Sequence, residues 1–168
     1  MGFTGSFIVA RTGQPVTELS AMQAADCLPL WWARDGAWQI LKASPGGDPD
    51  GSIIAETGAP VLVVHVLDSD FATVQAASPS GPTWQSVLSP KMARDYGFPE
   101  QWIGDPDSVT SQAVAWAEDA VLQPDPAAVR AVLVAECDPF AEDLVFALTN
   151  ALGFWFDTGA DLLSLDGE

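Results

Sequence analysis

The chain has 168 residues, of which 48% are hydrophobic, including seven tryptophans and eight phenylalanines. This length and this supply of apolar side chains predict a single folded domain over 1–168 and exclude a disordered chain. The 23 acidic residues outnumber the six basic ones and give a net charge of −17, which argues against nucleic acids and anionic membranes as partners because both require a basic surface.

The N-terminal half contains several runs that predict strands. Residues 2–11 are rich in Phe, Ile and Val, which favour extended backbone. The Asp-Gly pair at 35–36 predicts a hairpin that joins the run containing Trp31 and Trp32 to a strand over 37–42.

Two segments of this half are expected to have other conformations. Residues 17–28 carry apolar side chains at helical spacing and predict a short helix with Thr17 as its N-cap. Residues 44–52 contain two prolines and three glycines, which predicts a surface loop.

The middle of the chain has the strongest strand pattern. The run 60–67 is almost entirely aliphatic, which predicts a central strand with both faces buried. Turn residues separate this run from 71–77 and from 83–88. The three segments are therefore expected to form an antiparallel meander.

The second half carries repeated signals for the start of a helix. Four pairs place a capping side chain before a proline at the first helical position: Ser89-Pro90, Asp105-Pro106, Asp125-Pro126 and Asp138-Pro139. Ser108 is an alternative start for the second of these helices. Gly153 stands where a glycine ends the last predicted helix. The run 127–135 is ambiguous, because its alanines favour a helix and its valines favour a strand.

The order of these elements predicts the fold class. Strands come first and helices afterwards, which is typical of α+β domains. We expect an antiparallel sheet of about four to six strands from the N-terminal half, with the C-terminal helices packed on one face. The aromatic run 154–156 is expected to add a short strand, and the acidic tail is expected to fray from about residue 158.

The only histidine, His65, has Asp68 and Asp70 close to it in sequence, and such a group could serve a hydrolase or a ligand pocket. Strand alternation places His65 and Asp68 on opposite faces, and the chain has no Gly-x-Ser-x-Gly motif, so a core or edge histidine is expected. Residues 68–70 resemble a metal-binding Asp-x-Asp triplet, but a hard cation requires about six oxygen ligands. A turn is the favoured interpretation.

The sequence contains no pattern that predicts a cofactor or a metal. It has no phosphate-binding glycine loop and no His-Glu-x-x-His motif. Cys27 and Cys137 belong to no Cys-x-x-Cys pair, and two buried free thiols are expected rather than one long-range disulfide. A signal-peptide pattern and an apolar run of membrane-spanning length are both missing, so a cytoplasmic location is expected.

The tryptophans fall into two groups. Three lie on periodic elements and are expected in the core: Trp38, Trp84 and Trp116. Four lie in loops or at the ends of elements: Trp31, Trp32, Trp102 and Trp155. The second group is a candidate set of interface anchors, with burial over the sheet as the alternative.

These features favour one functional hypothesis over another. The composition is typical of a GC-rich bacterial genome, and the bulk properties are similar to those of small bacterial immunity or inhibitor proteins. The leading hypothesis is a cytoplasmic non-enzymatic interaction protein that binds a basic protein. The alternative is a small-ligand-binding domain or hydrolase-like enzyme with a pocket near His65 and Asp68 or Asp70. The acidity also has a simpler interpretation, as a means of staying soluble, and the oligomeric state is not indicated.

Overall fold

The computed structural model describes residues 2–45, 50–137, 140–156 and 163–164. Its strands are β1 Gly5–Arg11, β2 Pro29–Asp35, β3 Trp38–Ala43, β4 Val61–Leu67, β5 Phe71–Ala77, β6 Trp84–Leu88 and β7 Leu163–Ser164. They form one sheet in the order β6-β5-β4-β1-β3-β2-β7, and every neighbouring pair is antiparallel.

The helices lie between and after these strands. They are α1 Ser20–Ala24, α2 Asp50–Thr57, α3 Pro90–Asp95, α4 Glu100–Ile103, α5 Pro106–Asp119, α6 Pro126–Val134 and α7 Ala141–Leu152. A 3-10 turn at Val16–Glu18 precedes α1. The predicted α+β class is confirmed, because six strands come from the N-terminal half and the longest helices follow them.

The central position of β4 follows from its sequence. Residues 61–64 are at most 1% exposed, because successive aliphatic side chains enter the cores on both sides of the sheet. The antiparallel pairs β4–β5 and β5–β6 form the predicted meander. The hairpin of β2 and β3 around the Asp-Gly turn is also confirmed.

Helices cover both faces of the sheet. On the front face, α5, α6 and α7 pack over a core that includes Phe7, Val64 and the fully buried Trp116. On the back face, α1 and α2 cover side chains such as Ile8, while α3 and α4 cover Phe71. The predicted helical layer on one face is therefore present, and shorter helices shield the apolar side chains that alternate onto the other face.

Two of the predicted caps are confirmed, and the ambiguous run proves to be helical. Residues 127–135 fall almost entirely within α6, whose Asp125 Oδ1 accepts the Ala128 N–H at 3.2 Å. Asp105 caps α5 in the same way, with its Oδ2 3.0 Å from the Ser108 N. The pair at 138–139 lies outside the described residues.

The predicted cap at Ser89 is wrong. Ser89 has φ +62 and its hydroxyl donates to Glu136 Oε1 at 2.9 Å instead of capping α3. The other carboxylate oxygen of Glu136 accepts the Lys91 N–H at 3.1 Å. A charged carboxylate is a stronger acceptor than a hydroxyl, so a residue far along the chain performs the capping.

The predicted cap at Thr17 is wrong for the same reason. Helix α1 begins three residues later, and the N–H groups of Ser20 and Ala21 donate to the two carboxylate oxygens of Glu56 at 2.9 and 3.0 Å. Because Glu56 belongs to α2, this contact also joins the two back-face helices.

Three further segments differ from expectation. Helix α2 begins at Asp50, inside the predicted loop 44–52, of which residues 46–49 lie outside the described residues. Residues 154–156 form no strand, and Phe154 is fully buried against the rings of Trp38 and Trp116. Within the predicted frayed tail, β7 pairs with β2, and the rest of the tail from 157 lies outside the described residues.

None of the helices among the described residues has the length and apolar character needed to cross a membrane.

Candidate interaction surface

His65, the centre of the alternative predicted pocket, lies on the back face of β4. His65 lies opposite Ser6 of β1, and its Nδ1 is 2.7 Å from the Ser6 hydroxyl oxygen. Ser6 is 7% exposed, and His65 is half-buried beside it. This pairing places the imidazole against the sheet surface, as expected for a histidine near the core.

The two aspartates belong to the turn between β4 and β5. Asp68 and Ser69 have φ of 51 and 57, and the Asp70 N–H donates to the Leu67 carbonyl at 2.9 Å, so the predicted turn is confirmed. Asp68 Oδ1 accepts the Gly2 N–H at 2.7 Å.

Asp70 is held by a different element. Its Oδ2 accepts the Tyr96 hydroxyl from the end of α3 at 2.8 Å, and this bond raises the pKa of Tyr96. The carboxylates of Asp68 and Asp70 therefore tie the turn to the N-terminal segment and to α3, which is a structural use of both groups.

The four candidate tryptophans do not share one surface. Trp31 and Trp32 are neighbours on β2 and point to opposite faces, with Trp31 against Phe146 and the Trp32 Nε1 donating to Gln39 at 2.8 Å. Trp102 contacts Phe98 on the far side of the sheet, beside β6.

Trp155 is the candidate that the structure leaves most open. Its side chain is 72% exposed, and its backbone N–H donates to Asp35 Oδ2 at 2.9 Å, next to the hairpin of β2 and β3. By contrast, the three tryptophans predicted in the core are at most 7% exposed.

Among the described residues, most of the carboxylates that make hydrogen bonds use neutral donors. Nine of them accept from backbone N–H groups or from hydroxyls: Asp35, Glu56, Asp68, Asp70, Asp105, Asp119, Asp125, Glu136 and Glu142. A neutral donor satisfies the oxygen without cancelling its charge. The negative field of the molecule therefore persists although these carboxylates have structural roles.

Within the part of the chain that the structure describes, the basic side chains compensate little of this charge. Arg94 pairs with Glu100 and Arg130 pairs with Asp107, at 2.7 and 2.6 Å, and both pairs are largely exposed. Three other cations lie over aromatic rings rather than carboxylates: Arg11 over Trp38, Arg34 over Trp32, and Lys42 over Phe3 and Phe7.

The excess charge is greatest in the part of the chain that forms α3 to α7. Residues 90–156 contain eleven acidic and three basic side chains. Two of those three bases are the paired Arg94 and Arg130. The helical part of the molecule is therefore its most acidic region.

A cleft of about 240 Å³ opens in this acidic region beside the C-terminal end of α6, and we call it the α6 cleft. Its lining residues are Ser86, Pro90, Arg94, Ile103, Gly104, Pro106, Leu133, Val134 and Glu136. The Ile103 and Leu133 side chains are buried, whereas Val134 is 44% exposed. The cleft thus combines apolar side chains with the carboxylate of Glu136 and with Arg94, whose guanidinium is paired with Glu100.

The walls of the cleft are fixed by hydrogen bonds. Glu136 is held by the Ser89 hydroxyl and the Lys91 N–H, as described above. The neighbouring Cys137 thiol donates to the Asp70 carbonyl at 3.1 Å, and the Cys137 N–H donates to Ser89 Oγ at 3.3 Å. These contacts join the end of α6 to the start of α3, so the cleft is formed before any partner binds. Cys27 and Cys137 are both free thiols, as predicted, but each is half-buried rather than buried.

Sequence reasoning did not find the α6 cleft, because its lining comes from five separate stretches of the chain. Glu136 carries no local capping signal, and Val134 belongs to the run whose conformation was ambiguous. The one available signal was Val134, an apolar residue at the end of this run that would be exposed if the run formed a helix.

Among the described residues, no three acidic, histidine or cysteine side chains converge to hold a metal ion. Comparisons with protein-family models, with curated proteins and with solved structures find no match to this chain.

Proposed function

We propose that this protein is a non-enzymatic interaction protein of the bacterial cytoplasm that binds a basic protein, as immunity and adaptor proteins do. The observation that carries the proposal is the uncompensated charge of residues 90–156, with eleven acidic side chains against three basic ones. Complementary charge accelerates encounter with a cationic partner and disfavours anionic ones.

The α6 cleft provides the proposed contact point. A partner segment would place an apolar side chain against Val134 and Leu133, while its lysines or arginines face carboxylates such as Glu136. An apolar anchor inside a charged rim is the usual arrangement of a specific interface. This arrangement distinguishes the proposed partner from a plain polycation, which would need no cleft.

The alternative pocket near His65 has less support as a functional site. One carboxylate oxygen of Asp68 and one of Asp70 already accept hydrogen bonds that hold the turn and α3 in place. A catalytic role would require these bonds to be exchanged for bonds to a substrate.

A pair of synthetic peptides tests the proposal. One is an amphipathic peptide of lysine and leucine, and the other has the same composition in scrambled order. We expect the amphipathic peptide to bind more tightly in fluorescence anisotropy, and we expect both affinities to fall as salt is added.

Two matched variants locate the binding. Val134→Gln should weaken the amphipathic peptide about fivefold, roughly the effect of losing one buried apolar contact. Leu28→Gln alters a residue that is 69% exposed on a distant segment, and it should leave the affinity unchanged. Equal affinity for the two peptides, or equal effects of the two variants, would reject the cleft as the contact point.

A further inference from the structure

We propose that the α6 cleft takes up a single arginine side chain of its basic partner, in preference to a lysine. This inference rests on the proposed function and makes it more specific, because the excess charge of residues 90–156 alone attracts any basic protein. The preference for one kind of cation follows from the charge, the orientation and the walls of the cleft.

The charge of the cleft matches one cation. Two of its lining residues are charged, Arg94 and Glu136. Arg94 is paired with Glu100 through Nε at 2.7 Å and Nη2 at 3.4 Å. Glu136 forms no ion pair among the described residues, since Lys91 contacts it through the backbone N–H and not through the ammonium. The cleft therefore offers one carboxylate whose charge is not cancelled.

The carboxylate of Glu136 is exposed and yet held in one orientation. Its Oε1 accepts the Ser89 hydroxyl at 2.9 Å, and its Oε2 accepts the Lys91 N–H at 3.1 Å. An ionised carboxylate has about four acceptor positions, so both oxygens can accept a further hydrogen bond from a partner. Because the acceptor is already oriented, binding costs less side-chain entropy than it would at a freely rotating glutamate.

The walls beside this carboxylate are mainly apolar, and they distinguish arginine from lysine. The apolar lining residues are Pro90, Ile103, Pro106, Leu133 and Val134. The hydroxyl of Ser86, which also lines the cleft, already donates to the Ile103 carbonyl at 2.9 Å. A lysine ammonium is compact and strongly hydrated, so it would lose hydration between these walls.

An arginine side chain suits the same surroundings better. Its guanidinium is planar and weakly hydrated, and its five N–H donors can reach either oxygen of Glu136. Its methylene stem can pack along the exposed part of Val134 while the charged end meets the carboxylate. The combination of one oriented carboxylate with apolar walls therefore favours a guanidinium over an ammonium.

An arginine scan of the amphipathic lysine-leucine peptide tests this inference with the full chain. Each peptide of the series carries arginine in place of one lysine, and fluorescence anisotropy measures its affinity. We expect arginine at one position to strengthen binding about threefold, roughly the effect of one exposed ion pair, and arginine at the other positions to leave the affinity unchanged. A general preference of an acidic surface for arginine would instead strengthen binding equally at every position.

Three variants assign the gain to the cleft. Glu136→Gln should remove it. Ser89→Gly keeps the carboxylate but removes the hydroxyl that orients it, and glycine suits the φ of +62 at this position, so this variant should also lose the gain without straining the backbone. Glu118→Gln removes an exposed charge that does not line the cleft, so it should weaken every peptide alike and preserve the gain.

The outcomes separate this inference from the proposed function. If the amphipathic lysine-leucine peptide binds no better than its scrambled counterpart, both are overturned. If the amphipathic peptide binds better but the arginine scan shows no selective position, the arginine preference alone is overturned. The same holds if the gain at that position survives in Glu136→Gln or in Ser89→Gly.

Discussion

Single residues at helix ends show how local chemistry sets backbone conformation. Helices α3, α5 and α7 each end with the same double hydrogen bond, in which a residue of positive φ follows the last turn. That residue is Gly97 after α3 and Gly153 after α7, but it is Val121 after α5, with φ +63. A β-branched side chain is strained in this conformation, and Val121 is 83% exposed, so it gains little from packing.

Val121→Gly should therefore stabilise the protein. We expect the free energy of unfolding to rise by about 0.5–1 kcal/mol, because relief of the strain exceeds the extra entropy of glycine in the unfolded chain. Urea denaturation measures the change. Ala131→Gly, at an exposed position within α6, is the control and should lose about 1 kcal/mol. A similar loss for both variants would show that Val121 is not strained.

Asp119 provides a prediction about pH. The hydroxyls of Ser78 and Ser80 lower the pKa of its carboxyl below the ordinary value. Because the folded state lowers this pKa, the stabilising contribution is present at neutral pH and is lost as the pH falls through the folded-state value. Asp119→Asn should thus be destabilising at pH 7, and its difference from the wild type should shrink in acid. A difference that does not change between neutral and acidic urea titrations would contradict this assignment.

At the scale of elements, carboxylates from distant segments cap helices that have no local cap. Glu136 caps α3 and Glu56 caps α1, and each contact joins two elements that are far apart in the chain. These contacts explain how very short helices persist on the back face.

Removal of the Glu56 carboxylate should loosen α1. We expect Glu56→Ala to lower the free energy of unfolding by about 1–2 kcal/mol, because two N–H groups lose their acceptor. Glu18→Ala removes the same charge from an exposed position nearby and should change stability by less than about 0.5 kcal/mol. Equal effects in urea denaturation would mean that charge, rather than capping, is what Glu56 contributes.

The sequence predicts elements whose signals are local. The aliphatic run of β4, the Asp-Gly hairpin, the caps at Asp105 and Asp125 and the glycine at 153 all depend on neighbours within a few residues. The caps at Glu56 and Glu136 and the lining of the α6 cleft depend on tertiary contacts, and no spacing in the sequence indicates them. The run 154–156 was expected to form a strand because aromatic residues favour strands. Phe154 is instead buried by contacts with Trp38 and Trp116, without strand pairing.

At the scale of the whole molecule, the dominant feature is charge that the fold does not neutralise. Carboxylates bonded to neutral donors repel one another across the surface, and salt screens this repulsion. We expect the melting temperature to rise as sodium chloride is added from low to moderate concentration. The double variant Glu118→Gln, Asp143→Asn should show a smaller rise. A melting temperature that is flat or falls with salt would indicate that the repulsion is negligible.

The most direct test of the proposed acidic interaction surface is the rate at which the amphipathic lysine-leucine peptide associates, measured by stopped-flow fluorescence over a range of ionic strengths. Glu118→Gln with Asp143→Asn removes two exposed charges from the helical region, and Glu18→Gln with Asp26→Asn removes two from the segment around α1. We predict that the first pair slows association and flattens its salt dependence, while the second pair changes both much less. Equal effects of the two pairs would contradict the proposal, because they would mean that the peptide responds only to total charge.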